Sequence, residues 1–318
     1  MPTRIFQTPH SDTLLLAECA LLAYDENTIP KPPAGYKFVK EWKGIDPLSE
    51  DKKGVVENYG IIFQNTSDPT TYIFAFRGTA GKYDILEDLK FLEMVPFQYY
   101  KNTPGPKAPA AKGFSQVYTT KISATEGSMQ EQLFQFLEQN TVNKLYITGH
   151  SLGSALSELF NLDLNNYIAQ GHLSKIPLVH INFACPRVGG EEFAKAYVNL
   201  DKSNSFKTIR VVNWQDFIPC EPKISLVGGY YHGPDYYLTY FDLDNHKLPD
   251  IEARHSIYNY LHVLTKQFGG SPSGTLTGYQ NKKIYYWTPS KGYKECQIGF
   301  FHKLLDSVRR FFRRLIGK

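Results

Sequence analysis

A chain of 318 residues, 42% hydrophobic and 21% charged, can bury a large core, which excludes the disordered and fibrous classes. Its net charge of +4 is a property of one end. Residues 300–318 hold six basic residues against one acid, so the remainder is near neutral and no nucleic-acid partner is expected.

No apolar run reaches the ~18–20 residues a membrane-spanning helix needs. The start lacks a Sec-type leader. Cys19, Cys185, Cys220 and Cys296 are scattered and form neither a zinc site nor a dense disulfide framework. A reducing, cytoplasmic compartment is therefore the default expectation, with the protein soluble or peripherally attached to a membrane.

In chain order, Ser11 is placed to cap a helix over 12–24, with Leu14, Leu15, Cys19, Leu22 and Ala23 on one stripe. Pro30, Pro32, Pro33 and Gly35 end it. Strands follow at 36–42, 58–64 and 71–76, rich in Tyr, Ile, Val and Phe. Residues 83–95 form an amphipathic stretch, with Ile85, Leu86, Leu89, Leu92 and Val95 opposite Asp84, Glu87, Asp88 and Glu93. This segment lies in a connection of about 30 residues, long enough to be functional, and reads as a lid over an acyl groove; a plain core helix is the other reading.

From residue 113, helices near 130–139, 152–169 and 191–198 alternate with strands at 144–148, 177–183 and 208–213. That alternation predicts an α/β fold with a mostly parallel sheet flanked by helices. A Tyr-rich strand (230–240) and a helix (256–268) close a first domain over 1–268. The linker 269–274 opens a C-terminal extension over 269–318 with short strands and a basic amphipathic helix. That helix fits an anionic membrane surface, or docking on the catalytic domain or a partner.

The strongest local signal is Gly149-His150-Ser151-Leu152-Gly153, which follows one strand and opens a helix. A turn this tight strains the serine backbone and leaves room only for glycine on either side, exposing the Ser151 hydroxyl at the carboxyl edge of the sheet. A serine hydroxyl needs an imidazole to take its proton, and the imidazole needs an acid to fix its tautomer, in the chain order Ser, Asp or Glu, His. Asp216 lies just past the strand 208–213, at the same sheet edge, whereas Asp201, Asp235, Asp242, Asp244 and Asp250 are less well placed. Among the histidines beyond it, His255 stands where a loop meets a helix, and His232, beside Tyr230 and Tyr231, is its rival. His150 would point away from Ser151 and reads as a packing or hydrogen-bonding residue. The developing oxyanion needs two donors: the N–H of Leu152 is one, and Thr79, in the turn after the strand 71–76, is the other candidate, though alone it could be a mere turn residue.

Over about residues 11–265 the sequence resembles the class 3 lipases, the fungal triacylglycerol lipase-like α/β-hydrolases. The resemblance rests on Phe76-Arg77-Gly78-Thr79, Lys112-Gly113-Phe114, Gly149 to Gly153, Ala184-Cys185-Pro186-Arg187-Val188-Gly189, Asn213 to Pro219, and His255 with Tyr258. It implies Ser151, Asp216 and His255 as a triad, Thr79 and Leu152 as the oxyanion hole, and carboxylic ester hydrolysis with no metal or organic cofactor. The lid reading favours lipid esters, acylglycerols or phospholipids. It does not separate triacylglycerol lipase from phospholipase A1. The reading from a different class is a catalytically silent membrane-binding or interaction module on a hydrolase scaffold.

Overall fold

Strands buried on both faces read as apolar runs, and the order in which they pair fixes which loops meet at one edge. The computed structural model describes residues 10–25, 31–46, 54–79, 93–203, 207–222, 229–232, 235–243, 251–273 and 284–287. Ten strands are present among them: β1 (Tyr36–Asp46), β2 (Val55–Asn65), β3 (Thr71–Phe76), β4 (Met94–Pro96), β5 (Pro109–Ala111), β6 (Lys144–Gly149), β7 (Leu178–Phe183), β8 (Lys207–Asn213), β9 (Asp235–Leu243) and β10 (Ile284–Trp287). Eight of them form a sheet in the order β1-β2-β3-β6-β7-β8-β9-β10, and β4 pairs with β5 in a separate ribbon. The run from β3 to β9 is parallel, while β1, β2 and β10 pair antiparallel at the two edges. The mostly parallel α/β sheet expected from the sequence is therefore present. The carboxyl ends of β3, β6 and β8 share one edge.

The helices are α1 (His10–Leu22), α2 (Lys112–Thr119), α3 (Met129–Gln139), α4 (Leu152–Ala169), α5 (Glu191–Ser203), α6 (Ile251–His255) and α7 (Ile257–Gln267). Alternation along the strands divides the core in two. Tyr72, Phe74 and Phe76 of β3, with Leu145 and Ile147 of β6, pack with Phe134, Leu156 and Phe160 on one face. Ile73, Ala75 and Tyr146 point to the other, against Leu16, Ala17 and Ala20 of α1 and Tyr260, Val263 and Leu264 of α7. On this second face the small residues of α1 permit a close approach, and Thr148 Oγ1 donates to the Leu16 carbonyl at 3.1 Å.

Three expectations change. Helix α1 starts at His10, so Ser11 sits inside its first turn and not before it. Its buried residues are Thr13, Leu16, Ala17, Cys19 and Ala20, with Ala23 just past its end; Cys19 and Ala23 were expected there, whereas Leu14, Leu15 and Leu22 are only half-buried, because the alanines let this face seat on the sheet. The helix expected over 256–268 is present as α7, with Ser256 and Phe268 at its caps, and the short α6 precedes it across a break at Ser256. Val95 lies in strand β4, paired with Ala110, and does not end an amphipathic helix. Residues 80–92, the rest of the expected lid, lie outside the described residues, as do residues 300–318.

Past the Gly/Ser/Pro linker, β10 hydrogen-bonds to β9, so the sheet continues across it. Cys19 and Cys185 are free and buried, and Cys220 is disulfide-bonded, so the cysteines are not all reduced. Among the described residues no helix is long and apolar enough to cross a membrane.

Candidate active site

Ser151 joins β6 to α4 with φ 58° and ψ −126°, a conformation costly for a residue with a Cβ. The surroundings impose it. The Ser151 N–H donates to the Phe183 carbonyl of β7 at 3.1 Å, and Gly153 N–H closes the turn on the His150 carbonyl at 2.9 Å. Ser154 Oγ lies 2.8 Å and 2.7 Å from the Gly149 and Phe183 carbonyls, pinning the first turn of α4 to the sheet. A Cβ on Gly149 would come within 2.4 Å of the Gly153 carbonyl oxygen, and one on Gly153 within 2.3 Å of the Phe76 carbonyl oxygen. Both contacts are with backbone, so the two glycines of the motif are steric necessities. The Ser151 side chain makes no capping bond to α4, which leaves its hydroxyl uncommitted.

The second group of residues lies after β8. Asp216 closes a turn by donating its N–H to the Asn213 carbonyl at 2.9 Å. Its Oδ1 accepts the Ile218 N–H at 3.0 Å. Its Oδ2 accepts from His255 Nδ1 at 2.8 Å and from the Tyr260 hydroxyl at 3.0 Å. Tyr260 in turn accepts the Asn213 N–H at 2.7 Å, and Asn213 Nδ2 donates to the Arg254 carbonyl at 3.0 Å. The carboxylate is thus held on both oxygens, and the acid turn is stitched to α6 and α7. With its Nδ1 proton committed to Asp216, His255 presents Nε2 as an acceptor; that atom is buried and has no hydrogen-bond partner among the described residues. Asp216, His255 and Ser151 are 2%, 4% and 1% exposed.

The rival His232 is occupied elsewhere, with Nε2 2.7 Å from the Pro219 carbonyl. The side chain of Asp235 and the residues Asp244, His246 and Asp250 lie outside what is described.

The turn after β3 abuts Ser151: a Cβ on Gly78 would lie 3.2 Å from Ser151 Cβ. Arg77, buried, fixes this turn through Nη2 to Glu57 at 2.5 Å, Nε to the Gly78 carbonyl at 3.2 Å, and its N–H to the Tyr59 carbonyl at 2.8 Å. Thr79 follows at the rim, half-buried, and Leu152 occupies the first position of α4, where a backbone N–H has no intrahelical acceptor. The Arg-Gly pair therefore has separate duties: arginine anchors, glycine lets the serine approach. A cleft of about 670 Å³ lined by Phe97, Tyr99, Lys107 and Glu192 touches none of these residues.

Residues 73–226 match the family model for lipase (class 3). These residues are therefore similar to the class 3 lipase family. Among the curated relatives, a phospholipase A1-II 3 of Oryza sativa subsp. indica is 31% identical over 208 residues, covering 60% of this chain and 46% of that one. A secreted mono- and diacylglycerol lipase MDL3 of Malassezia globosa is 28% identical over 176 residues, 55% of this chain and 53% of its own. The chain spans about half the length of the curated relatives it matches. The fold is also that of the nonglycosylated LIP2 lipase of Yarrowia lipolytica, with a TM-score of 0.56 at 19% identity over 76% of this chain and 82% of that one.

Sequence reasoning did not find Tyr24 or Tyr260. Tyr260 stands five residues after His255, on the same run that carries it, and that spacing was its only signal. Tyr24 and His255 both fall outside the matched span 73–226.

Proposed function

We propose that this chain is a serine carboxylic ester hydrolase of the class 3 lipase family, acting on lipid esters. Ser151 Oγ attacks the ester carbonyl while its proton passes to His255 Nε2. The oxyanion of the tetrahedral intermediate is met by the Leu152 N–H and by Thr79. Collapse breaks the bond to the alcohol, which leaves with the proton from Nε2. Water then attacks the acyl-enzyme, gives its proton to the same nitrogen, and the fatty acid departs as Ser151 recovers its hydrogen. Asp216 stays ionised throughout, holding the Nδ1 proton of a ring that becomes positive in each half-reaction.

The observation that carries this reading is the 2.8 Å bond between His255 Nδ1 and Asp216 Oδ2, which leaves Nε2 uncommitted at the edge where the strained serine sits. All three groups are buried, and access of an ester to Ser151 is assigned to movement of a lid segment. The amphipathic sequence of residues 83–92 is our candidate for that segment. The names of the relatives favour acylglycerol and phospholipid substrates alike.

A panel of triglyceride, phosphatidylcholine, phosphatidylglycerol and short p-nitrophenyl esters, run with wild type and Ser151→Ala, tests the reading. We expect turnover of at least one lipid ester, and labelling of wild type by an organophosphonate, with both lost in Ser151→Ala. Activity that survives the substitution would overturn the assignment. A wild type that neither turns over any ester nor takes the label would favour the silent binding module.

A further inference from the structure

His150, the residue before the nucleophile, is fully enclosed and points away from Ser151, and both of its ring nitrogens are committed. Nε2 lies 2.6 Å from the backbone carbonyl of His255, and Nδ1 lies 2.7 Å from the hydroxyl of Tyr24. A carbonyl only accepts, so the proton of the neutral ring is on Nε2 and Nδ1 accepts from the phenol. Tyr24 stands just past the end of α1, and its hydroxyl lies against the Gly78 backbone in the oxyanion turn. A Cβ on Gly78 would fall 2.2 Å from that hydroxyl oxygen and 2.5 Å from the His150 carbonyl. Two hydrogen bonds thus run head to tail from the Tyr24 hydroxyl through His150 to the carbonyl of His255, and the oxyanion turn packs at Gly78 on the hydroxyl where they start.

We propose that Tyr24 and His150 are positioning residues, a buried strut that sets the distance between the oxyanion turn and the general base. The inference rests on the proposed role of His255 as base and deepens it. The strut connects three segments remote in sequence, the end of α1, the turn after β3 and the short helix α6, and it meets the nucleophile's own turn at His150.

The rings of His150 and His255 lie face to face in part, with centroids 4.5 Å apart and planes at 40°. A second imidazole so close to one that gains a proton in every cycle must itself stay neutral. Burial, and then the neighbouring His255, hold the His150 pKa well below its ordinary value. Its hydrogen-bonding pattern therefore survives the charging of His255, and the carbonyl it grips does not shift between half-reactions. A packing residue would need neither the directional bond to a backbone oxygen nor the phenol behind it.

The test compares wild type, Tyr24→Phe, His150→Ala, the double variant and Ser151→Ala, measuring kcat and KM on a short p-nitrophenyl ester together with Tm. Displacing the base by a fraction of an ångström should lower kcat roughly 10- to 100-fold with KM within about 3-fold. Tyr24→Phe, which keeps the ring, should retain the wild-type Tm. Because the two act as one connected unit, the double variant should be no slower than the slower single. Wild-type kcat in Tyr24→Phe, or losses that multiply in the double variant, would overturn the strut while an inactive Ser151→Ala left the hydrolase reading standing. Activity persisting in Ser151→Ala would remove the reading and the strut together.

Discussion

Ser151 keeps a left-handed backbone because the carbonyls of Phe183, Gly149 and Phe76 leave its turn no other path. The enclosing groups are main chain and cannot swing aside. Gly153→Ala would set a methyl 2.3 Å from the Phe76 oxygen and 2.7 Å from the Arg77 carbonyl carbon, forcing β3 and α4 apart. We expect a loss of about 1–3 kcal/mol, seen as a lower Tm, and a collapse of activity because the same shift moves Gly78 off Ser151. A variant with unchanged Tm would mean that the helix can retreat without cost.

The elbow was legible in the sequence because its geometry is set by five consecutive residues. Asp216 and His255 could be ranked from strand ends and loop positions, but their bond depends on Tyr260, Asn213 and Arg254 meeting through space. His150 was read only as a packing or hydrogen-bonding residue, since its two partners lie 126 and 105 positions away.

At the scale of elements, α4 shows what a helix enclosed on all sides requires. It is buried from Gly153 to Ile168 and carries Ser157, Glu158, Asn161, Asp163, Asn165 and Asn166 inside, so its polar groups must find partners in the protein. Two clusters around it titrate in opposite senses. His180 on β7 lies 2.9 Å from Ser157 Oγ and 2.9 Å from the Tyr197 hydroxyl, and burial pushes its pKa from 6.5 down to about 3. The unfolded chain then binds the proton first, so this stability is complete above pH 6.5 and is lost as pH falls toward 3.

Asp163 accepts from the Tyr100 N–H, Gln130 Nε2 and the Tyr118 hydroxyl, yet burial raises its pKa from 3.8 to about 7, so its contribution is complete below 3.8 and is lost as pH rises to about 7. Urea midpoints between pH 3 and 6.5 should therefore fall less steeply in His180→Gln than in wild type. Parallel curves would mean that the imidazole is not held neutral. The limits of α4 were read correctly from its sequence. Helix α2, eight residues long, carried too few turns to declare a period, and the break at Ser256 is set by tertiary contacts of His255, which no local pattern records.

The whole molecule is a sheet whose parallel centre is sealed by helices on both faces and whose edges are antiparallel. This layered plan was readable from the alternation of elements, whereas the addition of β10 across a Gly/Ser/Pro linker was not, because composition marks a flexible joint without saying where the chain goes next. The basic extension belongs to this scale as well. Deleting residues 299–318 is expected to weaken binding to vesicles of anionic lipid, with hydrolysis of a soluble ester retained, and unchanged vesicle binding would leave the extension no membrane role.

The moment at which the proposed triad can act during synthesis follows from the bond between α6 and the acid turn. The alcohol at 151 is made long before the imidazole at 255, and until the latter docks nothing can draw the proton away. On the proposed mechanism a growing chain is thus chemically idle for most of its synthesis, and hydrolysis is expected to begin only when the last quarter of the domain closes over the first.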